Sequence, residues 1–246
     1  MKNSALQEPE AAQRNEAGQT LEEFLAAYDA NKYRHPSVTV DIAVFSLIAK
    51  EESYALSLLL IRRKDHPNMG KWALPGGFLD MEEELHLAAA RELTEETGIQ
   101  GLTFRQFGAF GKVDRDPRTR VITVGHYTVA PYGSCNPVAG DDAADAAQFA
   151  VKLKMGAFTA AATLYDLTLT GPETLFARLS CTQDILGETA APLRGSMFAS
   201  DHAHLIYCAL QALKAQPRRR IAGLLAGDDR HLIRHALRAL DEAFGS

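Results

Sequence analysis

GGFLDMEEELHLAAARELTEETGI, Gly76 to Ile99, is the stretch from which the rest of the chain can be read. Its spacing predicts a helix over Glu82 to Thr97, closed by Gly98 at the position where helices favour a left-handed residue. On a helical wheel Glu92, Glu95 and Glu96 fall within an arc of roughly 100°. Leu85, Ala88 and Ala89 occupy the same arc one or two turns earlier. The face therefore begins apolar, which argues for burial, and ends in three carboxylates. Like charges at this spacing repel by a few tenths of a kcal/mol even in water, and burial raises the cost. A divalent cation removes the penalty. Oxygen-only ligands select a hard ion, so Mg2+ is expected, with Mn2+ as the alternative. Gly76 and Gly77 allow backbone close to such a site, and Arg91 either holds a carboxylate or meets a phosphate.

Working outward, the segment upstream, DHPNMGKWALPGGF, is crowded with Gly and Pro and reads as a loop. Before it lie two β-rich runs, Ser37 to Ala49 and Tyr54 to Arg63, expected to pair as strands across a turn at Lys50 to Ser53. Leu21, Phe24, Leu25 and Tyr28 share one helix face, with Thr20 as its N-cap. Downstream, Leu102 to Gly111 and Arg120 to Ala130 read as strands on either side of a charged turn. The stretch Asp141 to Lys154 reads as loop or helix, Thr163 to Thr170 as a strand, and Pro172 to Ser180 as a short helix. Asp201 to Lys214, Arg219 to Ala226 and Asp229 to Phe244 read as helices.

The chain has 246 residues with 26 Lys+Arg against 31 Asp+Glu, a formal charge of -5. That balance argues against a dedicated nucleic-acid binder, and no nucleic-acid partner is expected. Three scattered cysteines argue against a disulfide framework. The N-terminal twenty residues lack an apolar core of the signal-peptide kind. Val121 to Gly140, the longest uncharged stretch, is interrupted by Gly and Pro and does not suit a membrane span. A cytoplasmic protein with no membrane partner is the expectation.

The spacing Gly77-x5-Glu83-x7-Arg91-Glu92-Leu93-Thr94-Glu95-Glu96-Thr97-Gly98-Ile99 matches the Nudix box, G-x5-E-x7-R-E-U-x-E-E-x-G-U, at every defined position. The chain thus resembles the Nudix hydrolases. Further segments, YDANKYRHPSVTVDIAVF, RDPRTRVITVGHY, AGDDAADAAQF and SDHAHLI, are similar to the bacterial ADP-ribose pyrophosphatase subgroup. That subgroup also includes Nudix domains fused to nicotinamide-mononucleotide adenylyltransferase and NAD-metabolism repressors that sense ADP-ribose. The resemblance implies an α/β/α sandwich around a mixed β-sheet, here with an N-terminal helix and additional C-terminal helices. It implies metal ligation by Glu92, Glu95 and Glu96 with the Gly77 carbonyl, support from Glu83, and orientation of a carboxylate by Arg91. The implied reaction is Mg2+-dependent cleavage of ADP-ribose, or a related nucleoside diphosphate derivative, to AMP and a phosphorylated remainder.

Residues 1–19 are expected to form a mobile tail, 20–216 the Nudix domain with 152–197 as an insertion, and 217–246 a helical extension. Among Arg115, Arg118 and Arg120, Arg118 is the best candidate for substrate contact and Arg115 the next, with Gly76 lining the same site. His202 is expected to hydrogen-bond at a helix start. Tyr33, Phe110 and Tyr127 are candidates for stacking on a base, or are core residues. The subgroup usually carries a Glu within AGDDA and a Trp-Phe pair after it, whereas this chain has Asp145 and Gln148-Phe149. The catalytic base accordingly stays open between Glu95 and Asp141, Asp142 or Asp145. Two other functions remain: an ADP-ribose-sensing regulator, for which few residues are left at the C-terminus, and a nucleoside-triphosphate pyrophosphohydrolase. A homodimer through the N-terminal helix and strand pair is also an expectation.

Overall fold

β1 (Ser37–Lys50) is apolar on both faces because it is covered on both. In the computed structural model, Val40, Ile42 and Val44 point into one cluster and Ala43, Phe45 and Leu47 into another. The structure describes residues 13–140, 143–159, 161–184, 187–192 and 197–245, leaving aside the side chains of 183, 184, 187–190 and 192. Contacts divide the chain into Met1–His35 and Pro36–Ser246. In the first unit, α1 (Leu21–Ala27) is closed by the expected Thr20 cap as a reciprocal box with Glu23.

The second unit is built on one mixed sheet. Its remaining strands are β2 (Ser53–Arg63), β3 (Trp72–Ala73), β4 (Arg105–Phe110), β5 (Val121–Val129), β6 (Ala143–Phe158), β7 (Thr163–Thr170), β8 (Thr174–Asp184) and β9 (Gly187–Pro192). The order is β4-β5-β1-β2-β6-β7-β8-β9, with β3 paired to β2. β1 runs parallel to β5 and antiparallel to β2, which puts the strand's start beside the start of β5. One face carries α2 (Leu85–Thr97), whose Ala88, Ala89 and Leu93 pack on Val40, Ile42 and Leu59. The other carries α3 (His202–Lys214), α4 (Arg218–Ala226) and α5 (Leu232–Phe244), which share the larger cluster with Phe45, Leu56 and Phe149. The α/β/α layering is therefore as expected, and the C-terminal helices belong to its core.

Two expectations fail for one reason. Asp141 to Lys154, read as loop or helix, contributes its described part to β6. Pro172 to Ser180, read as a short helix, becomes a turn and the start of β8. Leu175, Ala177, Leu179 and Cys181 are buried while Phe176 and Arg178 face out, a period of two. The run ETLFARL holds five good helix formers, Glu, Ala, Arg and two Leu, but pairing with β7 over eight positions outweighs that weak local preference. β6, β7, β8 and β9 thus extend the sheet as an antiparallel meander. Gln148, standing where the subgroup has Trp, accepts a hydrogen bond from Ser57 and donates one to the Cys135 carbonyl.

Candidate active site

α2 begins at Leu85, three residues later than the spacing predicted, and ends at Gly98, whose φ of 72° only glycine adopts without strain. Ala88, Ala89 and Leu93 anchor it to the sheet, which turns Glu92 and Glu96 toward the loop ahead of it. Arg91 is the hub of this wall. Its Nε and Nη2 donate to the two Glu83 oxygens at 3.0 and 2.9 Å, and Nη1 donates to Glu92 at 2.7 Å and Glu95 at 3.1 Å. Nη2 also reaches the Phe78 carbonyl at 3.0 Å. One guanidinium thus faces three carboxylates, and Glu96 stands outside its reach. The Arg91 hydrogen bonds hold Glu83 below the usual carboxylate range. Desolvation raises Glu92 despite Arg91, and pushes Glu96 up to about 8 against the opposing hydrogen bond from the Gly76 N–H. Glu95 is the open one, with 43% of its side chain exposed.

The loop explains its two glycines. At Gly76 (φ 153°) a Cβ would lie 2.0 Å from the Val40 carbonyl oxygen, and at Gly77 it would lie 2.4 Å from the Glu92 carboxylate. The Gly76 N–H, expected to line the substrate site, donates to Glu96 at 2.9 Å. The Gly77 carbonyl accepts the Val40 N–H at 2.9 Å and keeps a second lone pair.

A second charged group forms the floor, and the sequence reading missed most of it. Asp41 accepts from Thr123 Oγ1 at 2.6 Å and from Arg115 Nη2 at 3.4 Å. Arg115, 8% exposed, also grips Asp201 through Nε and Nη2, both at 3.0 Å. Its backbone carbonyl accepts from Ser200 Oγ. Most of the Arg115 donor set is therefore turned inward. His202 opens α3 as a hydrogen bonder, as expected: its Nδ1 accepts the Leu74 N–H at 3.0 Å. That leaves the proton on Nε2, 3.7 Å from Asp41. Burial holds its pKa below the usual value, against the pull of Asp41 and Asp201. A lone carboxylate inside the apolar run VTVDIAVF was the available signal for Asp41.

Both groups line a cleft of about 720 Å³. Its far wall is the 63–68 loop, where the β2–β6 register slips between Arg62 and Arg63 and re-aims Arg63 into the cleft. Arg63 Nε donates to the Pro67 carbonyl at 2.8 Å. At the mouth, Arg118 is clasped by both Asp116 oxygens and lies over the Phe78 ring at 5.3 Å. Tyr127 is buried in the core, Phe110 packs on Phe107 and His204, and Tyr33 lies in the first unit. Asp145 is exposed on β6 opposite Arg62 and is absent from the cleft lining. Asp141 and Asp142 lie outside the described residues, while their neighbour Gly140 donates its N–H to the Glu96 carbonyl.

The donors fit a hard divalent ion by type: carboxylate oxygens, two of them raised by desolvation, around a notch only glycine leaves open. Among the described residues, no three such groups converge tightly enough to hold an ion as the side chains stand. Arg91 draws Glu92 and Glu95 toward itself, so ligation requires those two to turn.

Residues 39–161 match the NUDIX domain family, half of the chain. The chain belongs to the Nudix family. Among its relatives, an ADP-ribose pyrophosphatase of Methanocaldococcus jannaschii is 39% identical over 124 residues, 49% of this chain and 68% of that protein. The ADPR responsive transcriptional repressor NtrR of Acinetobacter baylyi is 40% identical over 108 residues, 43% of this chain; the match spans only 42% of the repressor's length. A MutT/nudix family protein from Enterococcus faecalis shares the fold. It matches with a TM-score of 0.62 over 91% of this chain and 88% of its own, at 24% identity.

Proposed function

We propose that this Nudix chain is a Mg2+-dependent pyrophosphohydrolase acting on ADP-ribose or a close nucleoside diphosphate derivative, giving AMP and a phosphorylated remainder. The observation that carries the reading is the Nudix-box wall, where three carboxylates share one guanidinium and Glu96, bonded to the Gly76 N–H, stands buried beside them. Identity to the M. jannaschii pyrophosphatase over two thirds of that protein supports the substrate class.

Glu92, Glu95 and Glu96 would hold the ion, with the Gly77 carbonyl beside them. When bound, Mg2+ (or Mn2+) neutralises charge on the pyrophosphate and lowers the pKa of water at its side. Arg91 orients Glu92 and Glu95, and Glu83 fixes Arg91 through a two-pronged bond whose planar geometry lysine lacks. Glu95, the most exposed carboxylate of the wall, would take the proton from the attacking water. Arg63 meets the phosphates from across the cleft. Arg118 serves the substrate as a plane rather than a charge, because Asp116 already neutralises it and Phe78 backs it.

The test is incubation of the purified chain with ADP-ribose, NADH, diadenosine polyphosphates and nucleoside triphosphates, with and without Mg2+, and chromatography of the products. AMP and ribose 5-phosphate from ADP-ribose, absent without metal, are expected. Preference for a triphosphate keeps the mechanism and discards the substrate. A second reading, an ADP-ribose-responsive regulator, is favoured by the 40% identity to the A. baylyi repressor; tight ADP-ribose binding with no turnover selects it. A homodimer and a cytoplasmic location belong to this proposal and are tested by sedimentation and by cell fractionation.

A further inference from the structure

The extended segment that delivers Gly76 and Gly77 is fastened at every second residue, each time to a different element. The Gly76 N–H is tied to Glu96 of α2 at 2.9 Å, and the Leu74 N–H to His202 of α3 at 3.0 Å. The third tie is the Trp72 indole, whose Nε1–H donates to the Glu173 carboxylate at 2.6 Å. Glu173 lies in the turn between β7 and β8, 101 residues further along the chain and outside the stretch that matches the family.

The geometry around this contact is built for it. Trp72 is 2% exposed, with its ring edge-on to Phe149 at 4.8 Å, so its N–H has no free access to water. Its own carbonyl accepts the Ala199 N–H at 2.9 Å, joining it to the entry of α3. The β7–β8 turn closes through the Gly171 N–H to the Glu173 carbonyl at 3.0 Å. At Gly171 a Cβ would lie 2.7 Å from the Phe149 ring, so only glycine lets this turn press onto the ring that backs Trp72. Glu173 itself is exposed, a surface residue whose carboxylate reaches inward. A buried indole donor without a partner is disfavoured, which makes the tie consequential for where residues 72 to 77 sit.

We propose that Glu173 is a positioning residue for the Nudix site. Through Trp72 it holds the backbone of residues 73–77 in register with Glu92 and Glu96, and the β7–β8 hairpin, which follows the family match, thereby supports the cleft. The activity arm of the test rests on the hydrolase reading above; the other two arms do not.

The test uses the full chain with Glu173→Ala and Glu173→Gln. Trp72 is the chain's single tryptophan, so its emission reports this position alone. Glu173→Ala is expected to shift that emission, to speed amide exchange at residues 73–77 relative to the rest of the sheet, and to lower kcat for ADP-ribose about tenfold with KM little changed. Glu173→Gln, whose amide oxygen still accepts, is expected to recover most of all three. Unchanged emission and unchanged exchange at 73–77 in Glu173→Ala would overturn the proposal. So would normal kcat alongside a stability loss spread evenly over the sheet. If the wild-type chain turns over nothing, the hydrolase reading fails, and emission and exchange still decide the role of Glu173.

Discussion

Two charged networks meet at the same cleft, and they are built on opposite principles. The wall formed by α2 and the residues just before it is local in sequence, spanning Glu83 to Glu96, and it is unbalanced: three carboxylates share Arg91, and Glu96 adds a fourth outside its reach. The floor draws on residues 41, 115, 123, 201 and 202 and is close to balanced, with Arg115 between Asp41 and Asp201 and a neutral His202 beside them. An unbalanced cluster invites a cation from solution. A balanced, hydrogen-bonded one fixes the relative positions of β1, the 115–118 turn and α3. Charge density alone does not mark a reactive site; the deficit of countercharge does.

The largest effect should follow from removing a carboxylate from the wall. Glu96→Gln keeps an acceptor for the Gly76 N–H, so the fold should persist while kcat falls about 10³-fold, the scale of losing a main electrostatic stabiliser. Near-wild-type hydrolysis by this variant would break the contrast between wall and floor. On the floor the loss should be in stability. Arg115→Met leaves Asp41 and Asp201 facing each other without their cation and should cost about 3 kcal/mol in denaturant unfolding. Arg91→Lys should sit between the two, lowering kcat about 10- to 100-fold with little change in melting temperature, because lysine cannot brace three carboxylates as a fork.

The smallest effects are in the pH dependence, and they should have opposite signs. Glu96 has a folded pKa of about 8, above its unfolded value of 4.5. Its contribution is complete below 4.5 and is lost as pH rises through 8, so the metal-free chain should lose stability toward alkaline pH, and Mg2+ should flatten that slope. His202, His126 and His204 are all lowered from 6.5, in each case first by burial. Above 6.5 they are neutral in both states; as pH falls below it only the unfolded chain gains protons, so stability should decline. Thermal melts from pH 5 to 9, with and without Mg2+, check both slopes. A single slope of one sign would show that either Glu96 or the buried histidines dominate.

The wall was legible because a helix converts spacing into geometry without help: Glu92, Glu95, Glu96 and Arg91 share a face wherever that helix sits. The floor was not, because its members meet only after β1 pairs in parallel with β5 and α3 docks beneath them. Arg115 and Arg118 illustrate the gap. Both sit in the same turn and were both read as substrate contacts, yet one is drawn into the floor by Asp201 and the other clasped at the mouth by Asp116. The meander was misread for a related reason. Helix propensity in ETLFARL is a local quantity of a few tenths of a kcal/mol per residue, while strand pairing depends on partners far away.

By itself the sequence determined the Nudix-box helix, its closing glycine, the acidic arc with its arginine, and the two glycines ahead of it. Those features depend on neighbours within a few helical turns or on one residue's freedom of φ. The tertiary structure alone decided that Asp41 lies under the cleft, that the 63–68 loop walls it, and that Glu173 reaches Trp72 from a hairpin about a hundred residues away. Such contacts depend on the order and direction in which strands enter the sheet, which one strand's own residues do not encode.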